Sequence, residues 1–146
     1  MKSILLFALL PLLVLLPPAI AGENDKPFAE AHIVLQLADA DERTQGRVLS
    51  VANNLIKHYG GPDFVDIEIV TYGPGISLLY PGNPNRERIT SLMASDVRFV
   101  GCLNTVETIE RETGERPTLI PDIIEVQTGV ARLVERAEQG YVVIRP

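Results

Sequence analysis

The sequence of 146 residues contains very little cysteine and histidine, with one Cys and two His. A single cysteine excludes a disulfide within the chain, and with it the small exported folds that disulfides hold together. Cys102 is therefore a buried inert thiol, one half of a bridge between two chains, or a reactive thiol. One cysteine and two widely separated histidines also supply no recognisable metal site.

The chain also lacks a cluster of lysines and arginines, and its formal net charge is −6 at pH 7. Proteins that bind nucleic acids or anionic membranes usually carry such clusters, because basic side chains neutralise phosphate groups. We therefore expect no nucleic-acid partner and no attraction of the folded domain to an anionic membrane. No internal repeat and no low-complexity segment is present.

Long apolar runs are absent except at residues 4–16, which follow Lys2 and precede a small-x-small sequence at 19–21. These are the three parts of a secretory signal peptide. The run is shorter than the ~20 residues that span a bilayer, so cleavage after Ala21 is favoured over retention as a membrane anchor, which is the alternative. We expect an exported, periplasmic bacterial protein with a signal peptide at 1–21 and no membrane contact after cleavage.

The rest of the sequence consists of strand patterns that alternate with helix patterns, after a polar leader at 22–30. The strand patterns lie at 32–38, 65–72, 97–102, 123–126 and 141–144, and the helix patterns at 42–59, 84–95, 104–113 and 129–139. Such alternation predicts an α/β fold with right-handed crossovers. We expect one domain at 31–146, a three-layer α/β/α sandwich around a mostly parallel sheet of about five strands.

Local sequence patterns also predict the place of the second strand, the caps of two helices and the buried face of the last helix. Strict alternation at 65–69 indicates a strand with one wetter face near a sheet edge. Asn83 is expected to cap the second helix, and Asn104 with Glu107 resembles a capping box at the start of the third. The last helix is expected to present an apolar face made of Val130, Leu133, Val134 and Ala137.

Ligands of open α/β sheets bind outside the carboxyl ends of the strands. Three segments are expected to meet there, namely the turn at 39–42, the glycine-containing loop at 73–76 and Cys102. Cys102 precedes a predicted helix start, where free N–H groups favour a thiolate, the form that accepts sulfur to become a persulfide. The other interpretation is a buried cysteine that packs as a small hydrophobic side chain.

Three segments resemble the DsrE/DsrF-like proteins: the cysteine strand and turn at 97–105, the loop at 72–79, and the C-terminal helix and strand at 128–134 and 139–146. The similarity covers residues 31–146. The resemblance implies a DsrE-like α/β/α fold and assembly into homo-oligomers, as dimers, trimers or hexamers. It also implies sulfur transfer between partner proteins, in which Cys102 would carry the persulfide.

These observations give one main hypothesis and two alternatives. The main hypothesis is an exported sulfur carrier that uses Cys102 without a cofactor or metal, with a partner protein or an inorganic sulfur compound as donor and acceptor. It would be a carrier rather than an enzyme with turnover. The residues expected to shape its binding site are Gly73, Gly75, Ile76, Gly101, Asn104 and Thr105. The alternatives are an oligomeric small-ligand-binding or scaffold module with a structural Cys102, and a protein whose thiol bridges two subunits.

Overall fold

The computed structural model describes residues 26–146. The predicted signal peptide at 1–21, its cleavage position and residues 22–25 of the predicted leader lie outside the described residues. Nine helices and strands are numbered here in chain order: β1 (Ala31–Leu37), α1 (Glu42–His58), β2 (Val65–Thr71), α2 (Arg86–Met93), β3 (Arg98–Cys102), α3 (Leu103–Thr113), β4 (Ile124–Val126), α4 (Gly129–Glu138) and β5 (Val142–Ile144). A 3-10 segment, Gly73–Leu79, follows β2. Within residues 26–146, no helix is long and apolar enough to cross a membrane.

The five strands form one sheet in the order β4-β3-β2-β1-β5, and every neighbouring pair is parallel. Buried side chains of α1, α2 and α3 pack on one face of the sheet, and α4 packs on the other. The α/β class, the parallel sheet of five strands and the three-layer arrangement are therefore confirmed.

The two faces of the sheet are packed very differently. Alternate residues of each strand point to opposite faces. The face below α1, α2 and α3 carries the main core, in which Leu35, Ile67 and Phe99 are almost completely buried. The α4 face has a much smaller apolar cluster, whose buried members are Val34, Val70, Val100 and Leu133. The α4 helix, which has ten residues, thus provides most of the covering of that face.

The prediction that the second strand lies near a sheet edge with a wet face is wrong. β2 lies at the centre of the sheet between β1 and β3, and all seven of its residues are buried. Asp66 and Glu68 supply the polar half of the alternating pattern, yet they are 1% and 0% exposed. Arginines from β3 and α4 pair with both carboxylates, which makes their burial tolerable.

The expected cap of the second helix is also wrong. α2 begins at Arg86, two residues later than the predicted helix, and its N-cap residue Asn85 makes no capping bond. The side chain of Asn83 instead accepts the backbone N–H of Asn85 at 2.9 Å and donates to Gln45 and to the carbonyl of Ser77. Asn83 therefore holds the loop against α1, because its amide can serve three partners at once.

The face that α4 turns toward the sheet differs from the predicted apolar face. Leu133 is buried, but Val130 and Val134 are 50% and 53% exposed, and Ala137 is exposed. Arg132 and Arg136 take the place toward the sheet because their guanidinium groups reach Glu68. Ion pairing, rather than the apolar stripe, has set the rotation of this helix.

Candidate functional site

Cys102 lies at the carboxyl edge of the sheet, where β3 leads into α3 without a connecting loop. It is the last residue of β3 and the N-cap residue of α3, with extended backbone angles. The residue is 5% exposed. Its thiol donates a weak hydrogen bond to the backbone carbonyl of Gln127, with 3.7 Å between sulfur and oxygen.

A second helix start lies directly against the cysteine. Gly129 is the first residue of α4, and a Cβ atom placed on it would lie 3.2 Å from the Cβ atoms of both Cys102 and Tyr72. Only glycine allows this close approach without displacing a neighbour. Cys102 is therefore packed between the N-terminal ends of α3 and α4, and both ends carry partial positive charge.

Asn104 fastens the segment before α4 to α3. Its backbone N–H donates to the carbonyl of Gln127 at 3.0 Å. Its side chain donates to the hydroxyl of Thr128 at 3.0 Å and accepts from the side-chain amide of Gln127 at 2.6 Å. The predicted capping box is thus wrong, because α3 begins before Asn104 and the side chains of Asn104 and Glu107 contact Gln127. We call residues 127–129 the cover segment.

A cavity of about 450 Å³ lies beside α3, at the same edge of the sheet. The residues that line it are Gly73, Pro74, Asn104, Thr105, Thr108, Ile109 and Glu112. The backbone N–H of Gly73 donates to the hydroxyl of Thr105 at 2.9 Å, which ties the 3-10 segment to α3. The cavity therefore brings together three of the predicted binding residues, Gly73, Asn104 and Thr105, while Cys102 is not among its lining residues.

The other predicted binding residues occupy packing positions. A Cβ atom on Gly75 would lie 2.4 Å from the carbonyl oxygen of Leu37, so β1 and the 3-10 segment touch backbone to backbone. Gly101 faces the side chains of Leu119 and Ile123, and Ile76 is 1% exposed within the main core. None of the three lines the cavity.

The turn at 39–42 has a structural role. Asp41 caps α1, and the hydrogen bond from the backbone N–H of Thr44 holds the pKa of Asp41 below its ordinary value of 3.8. Asp39 pairs with Arg145 near the C-terminus at 3.1 Å. Both carboxylates are thus engaged in contacts that stabilise the fold, Asp41 within its own helix start and Asp39 with the C-terminal segment.

The sequence patterns did not reveal a buried cluster of charged side chains beneath α4. Arg98 contacts Asp66 at 2.7 Å, and Glu68 receives Arg132 and Arg136 at 2.8 Å each. We call these five residues the ion-pair network. The hydroxyl of Tyr141 also donates to Asp66, and the guanidinium of Arg136 lies 4.9 Å from the centre of the Tyr141 ring. Two sequence features point to such a network. The last helix has two arginines at i and i+4, and an otherwise apolar strand contains two acidic residues.

Charge pairing keeps both carboxyl groups of the network ionised. Burial opposes the ionisation of Glu68, but the hydrogen bonds from Arg132 and Arg136 outweigh it, so its pKa lies below 4.5. Burial likewise opposes the ionisation of Asp66, and the hydrogen bonds from Arg98 and Tyr141 lower its pKa below 3.8. The network therefore stabilises the fold only while both groups are charged.

Among residues 26–146, no group of three or more His, Cys, Asp and Glu side chains is arranged to hold a metal ion. His32 lies near the N-terminal end of β1, away from the carboxyl edge of the sheet. Its Nδ1 atom is 3.5 Å from the carboxylate of Asp66. The described features define an α/β/α sandwich with one buried cysteine and one adjoining cavity at the carboxyl edge of a parallel sheet.

Comparison with known proteins agrees with this fold. No family model and no curated protein matches the chain. A solved structure, that of the protein of unknown function MTH1491 from Methanobacterium thermoautotrophicum, is similar with a TM-score of 0.70 and 26% sequence identity. The match covers 80% of this chain and 100% of that chain. The similarity to DsrE/DsrF-like proteins stays a prediction from the sequence.

Proposed function

We propose that the protein carries sulfane sulfur as a persulfide on Cys102. The observation that supports this most is the packing of Cys102 between the N-terminal ends of α3 and α4. The partial positive charge that the dipoles of α3 and α4 place at these two helix starts supports a negatively charged sulfur at this position. The resemblance of residues 97–105 to the cysteine segment of DsrE/DsrF-like proteins supports the same role.

The transfer needs no oxidant and no cofactor. The Cys102 thiolate attacks the outer sulfur of a donor, a sulfur–sulfur bond forms at Sγ, and the donor's own bond to that sulfur breaks. The electron pair of the broken bond leaves with the donor, as sulfite when the donor is thiosulfate. Attack by an acceptor thiolate on the outer sulfur then regenerates the Cys102 thiolate. Because Cys102 is 5% exposed, small inorganic donors fit the proposal best.

Intact mass spectrometry tests the proposal. The purified protein is treated with thiosulfate or polysulfide, and Cys102→Ser is treated in parallel. We expect a gain of about one sulfur atom (~32 Da) that a reductant reverses and that the variant does not show. If neither donor changes the mass of the folded protein, Cys102 is not a sulfur carrier.

The cavity beside α3 favours a second candidate, a small-ligand-binding module in which Cys102 is structural. Ligand pockets commonly enclose ~300–1,000 Å³ and combine an apolar lining with a few polar groups. The volume of about 450 Å³ lies in this range, and the lining combines Ile109 and Pro74 with the polar side chains of Thr105 and Thr108. The burial of Cys102 is also typical of an inert cysteine.

Thermal stability in the presence of candidate ligands tests the second candidate. A ligand that binds the folded state raises Tm, and we expect Thr108→Tyr to abolish the rise because the larger side chain fills the cavity. Thr113→Tyr is the matched control, since Thr113 lies on the exposed end of the same helix. A rise in Tm that persists in Thr108→Tyr would exclude this cavity as the binding site.

Export and self-association complete the proposal. Export to the periplasm is supported by the predicted signal peptide at 1–21. A homo-oligomer is supported by the exposed apolar side chains on the α4 side of the sheet, which include Val130, Val134 and Val143. Exposed apolar side chains that share one side of a sheet are typical of association surfaces.

A further inference from the structure

The cover segment is what separates Cys102 from solvent on the α4 side. Gly129 packs on the Cβ atom of the cysteine, and the carbonyl of Gln127 accepts its S–H group. Both contacts come from residues that lead into α4 rather than from the main core. Because Cys102 is 5% exposed, a reagent reaches the thiol from this side only after these residues move.

The helix behind the cover segment is held by few apolar contacts. Two residues of α4 are buried, Gly129 and Leu133, and Val130 and Val134 point outward. Arg132 and Arg136 also attach the helix to the sheet through their ion pairs with Glu68. Segments with little buried apolar surface open at a lower free energy than the whole domain. α4 is followed by β5, an edge strand of three residues, so its displacement would leave the other strand pairs in place.

Asn104 fastens the cover segment to α3. Its side chain makes two hydrogen bonds to the segment, one with Thr128 and one with Gln127. Asn104 is exposed and belongs to α3, which packs on the opposite face of the sheet. Its side chain therefore joins the two helix starts on either side of Cys102.

We propose that residues 127–138 open locally as a unit, that this opening admits reagents to Cys102, and that the side chain of Asn104 sets how often it occurs. The role of the opening rests on the proposed function, because a carrier must admit a sulfur donor and then shield the persulfide. In the closed state the cover segment keeps reductants from the outer sulfur. In the open state donor and acceptor reach it.

The rate at which iodoacetamide alkylates Cys102 in the folded protein tests the proposal. The rate is compared with that of the urea-unfolded chain, and the free energy of global unfolding is measured separately. We expect the folded protein to react faster than global unfolding allows. Asn104→Ala should raise the folded-state rate about tenfold, because two hydrogen bonds to the cover segment are lost. Thr113→Ala, which removes a hydroxyl elsewhere on α3, should leave the rate unchanged.

Two results would overturn the proposal. The first is an alkylation rate of the folded, unsubstituted protein that is no higher than global unfolding allows. The second is an alkylation rate of the folded protein that equals the rate of the urea-unfolded chain. Thr128→Val, which removes one of the two bonds, should raise the rate about threefold and serves if Asn104→Ala does not fold. Iodoacetamide needs no sulfur chemistry, so a thiol that opens as proposed but accepts no sulfur would contradict the carrier function alone.

Discussion

Glu68 is the residue on which the attachment of α4 depends. Its carboxylate is completely buried at the centre of the sheet, and it receives hydrogen bonds from both Arg132 and Arg136. A buried ion pair contributes little stability compared with well-packed apolar side chains in the same place. Removing one partner is nevertheless costly, because the other partner's charge is left buried and unpaired. Without Glu68, Arg132 and Arg136 of α4 would lose the carboxylate that pairs with both of them.

Replacing this residue gives a prediction at the residue scale. We expect Glu68→Leu to lower the free energy of unfolding by about 3 kcal/mol, because Arg132 and Arg136 lose their shared partner. Urea denaturation measures the loss. Glu110→Gln is the control, since its pair with Arg116 is exposed and should contribute less than about 1 kcal/mol. Equal effects of the two substitutions would show that burial does not strengthen the Glu68 contacts.

α4 is an element whose amphipathic pattern did not decide its orientation. Its apolar residues recur at helical spacing, yet of the two valines and the leucine, Leu133 alone is buried. The sheet beneath it offers carboxylates at Asp66 and Glu68, so the arginine side of the helix faces inward. Ion pairs therefore contribute to the attachment of α4, and this contribution depends on pH.

The pH dependence follows from the lowered pKa values of Asp66 and Glu68. Groups with a lowered pKa in the folded state contribute stability above their unfolded pKa, and that contribution is lost as the pH falls through the folded value. We therefore expect the free energy of unfolding to decrease as the pH is lowered below about 4.5, the ordinary value for Glu68. Urea denaturation at several pH values measures the decrease, which should be shallower in Glu68→Gln. An equally steep decrease in that variant would exclude Glu68 as its source.

At the scale of the whole molecule, the sheet is covered unevenly. Of the helices within residues 26–146, three pack on one face and α4 alone packs on the other, where Val143 of the edge strand β5 is 40% exposed. Val130 and Val134 are exposed on α4 itself. Self-association through this face would bury apolar surface that the isolated chain leaves in water.

Light scattering after size-exclusion chromatography tests this association. We expect the protein to elute as an oligomer, and Val134→Lys to shift it toward the monomer, because a buried lysine in an apolar interface is costly. Val134 is 53% exposed, so the chain itself should tolerate the lysine. Thr90→Lys, on α2 in the opposite layer, should leave the oligomer intact. A monomer in the absence of any substitution would exclude the homo-oligomer.

Much of the fold could be predicted from the sequence because its signals are local. Gly114, with its positive φ of 78°, ends α3 as expected, and Asp41 caps α1 at the predicted turn. Cys102, Gly73, Asn104 and Thr105 were also expected to lie at one sheet edge, because the carboxyl ends of parallel strands lie together. The pairing within the ion-pair network could not be predicted, since its members come from β2, β3 and α4, which are far apart in the sequence.

The sequence by itself determined the alternation of strands and helices, the parallel sheet and the placement of Cys102 where β3 meets α3. Hydrophobic periodicity and glycine positions act over a few residues and therefore do not depend on distant contacts. Only the tertiary structure decided that β2 is central, that α4 turns its arginines inward, and that residues 127–129 cover the cysteine. These features depend on which charges and backbone groups meet across the sheet, because a buried charge is stable only where another part of the chain supplies its partner.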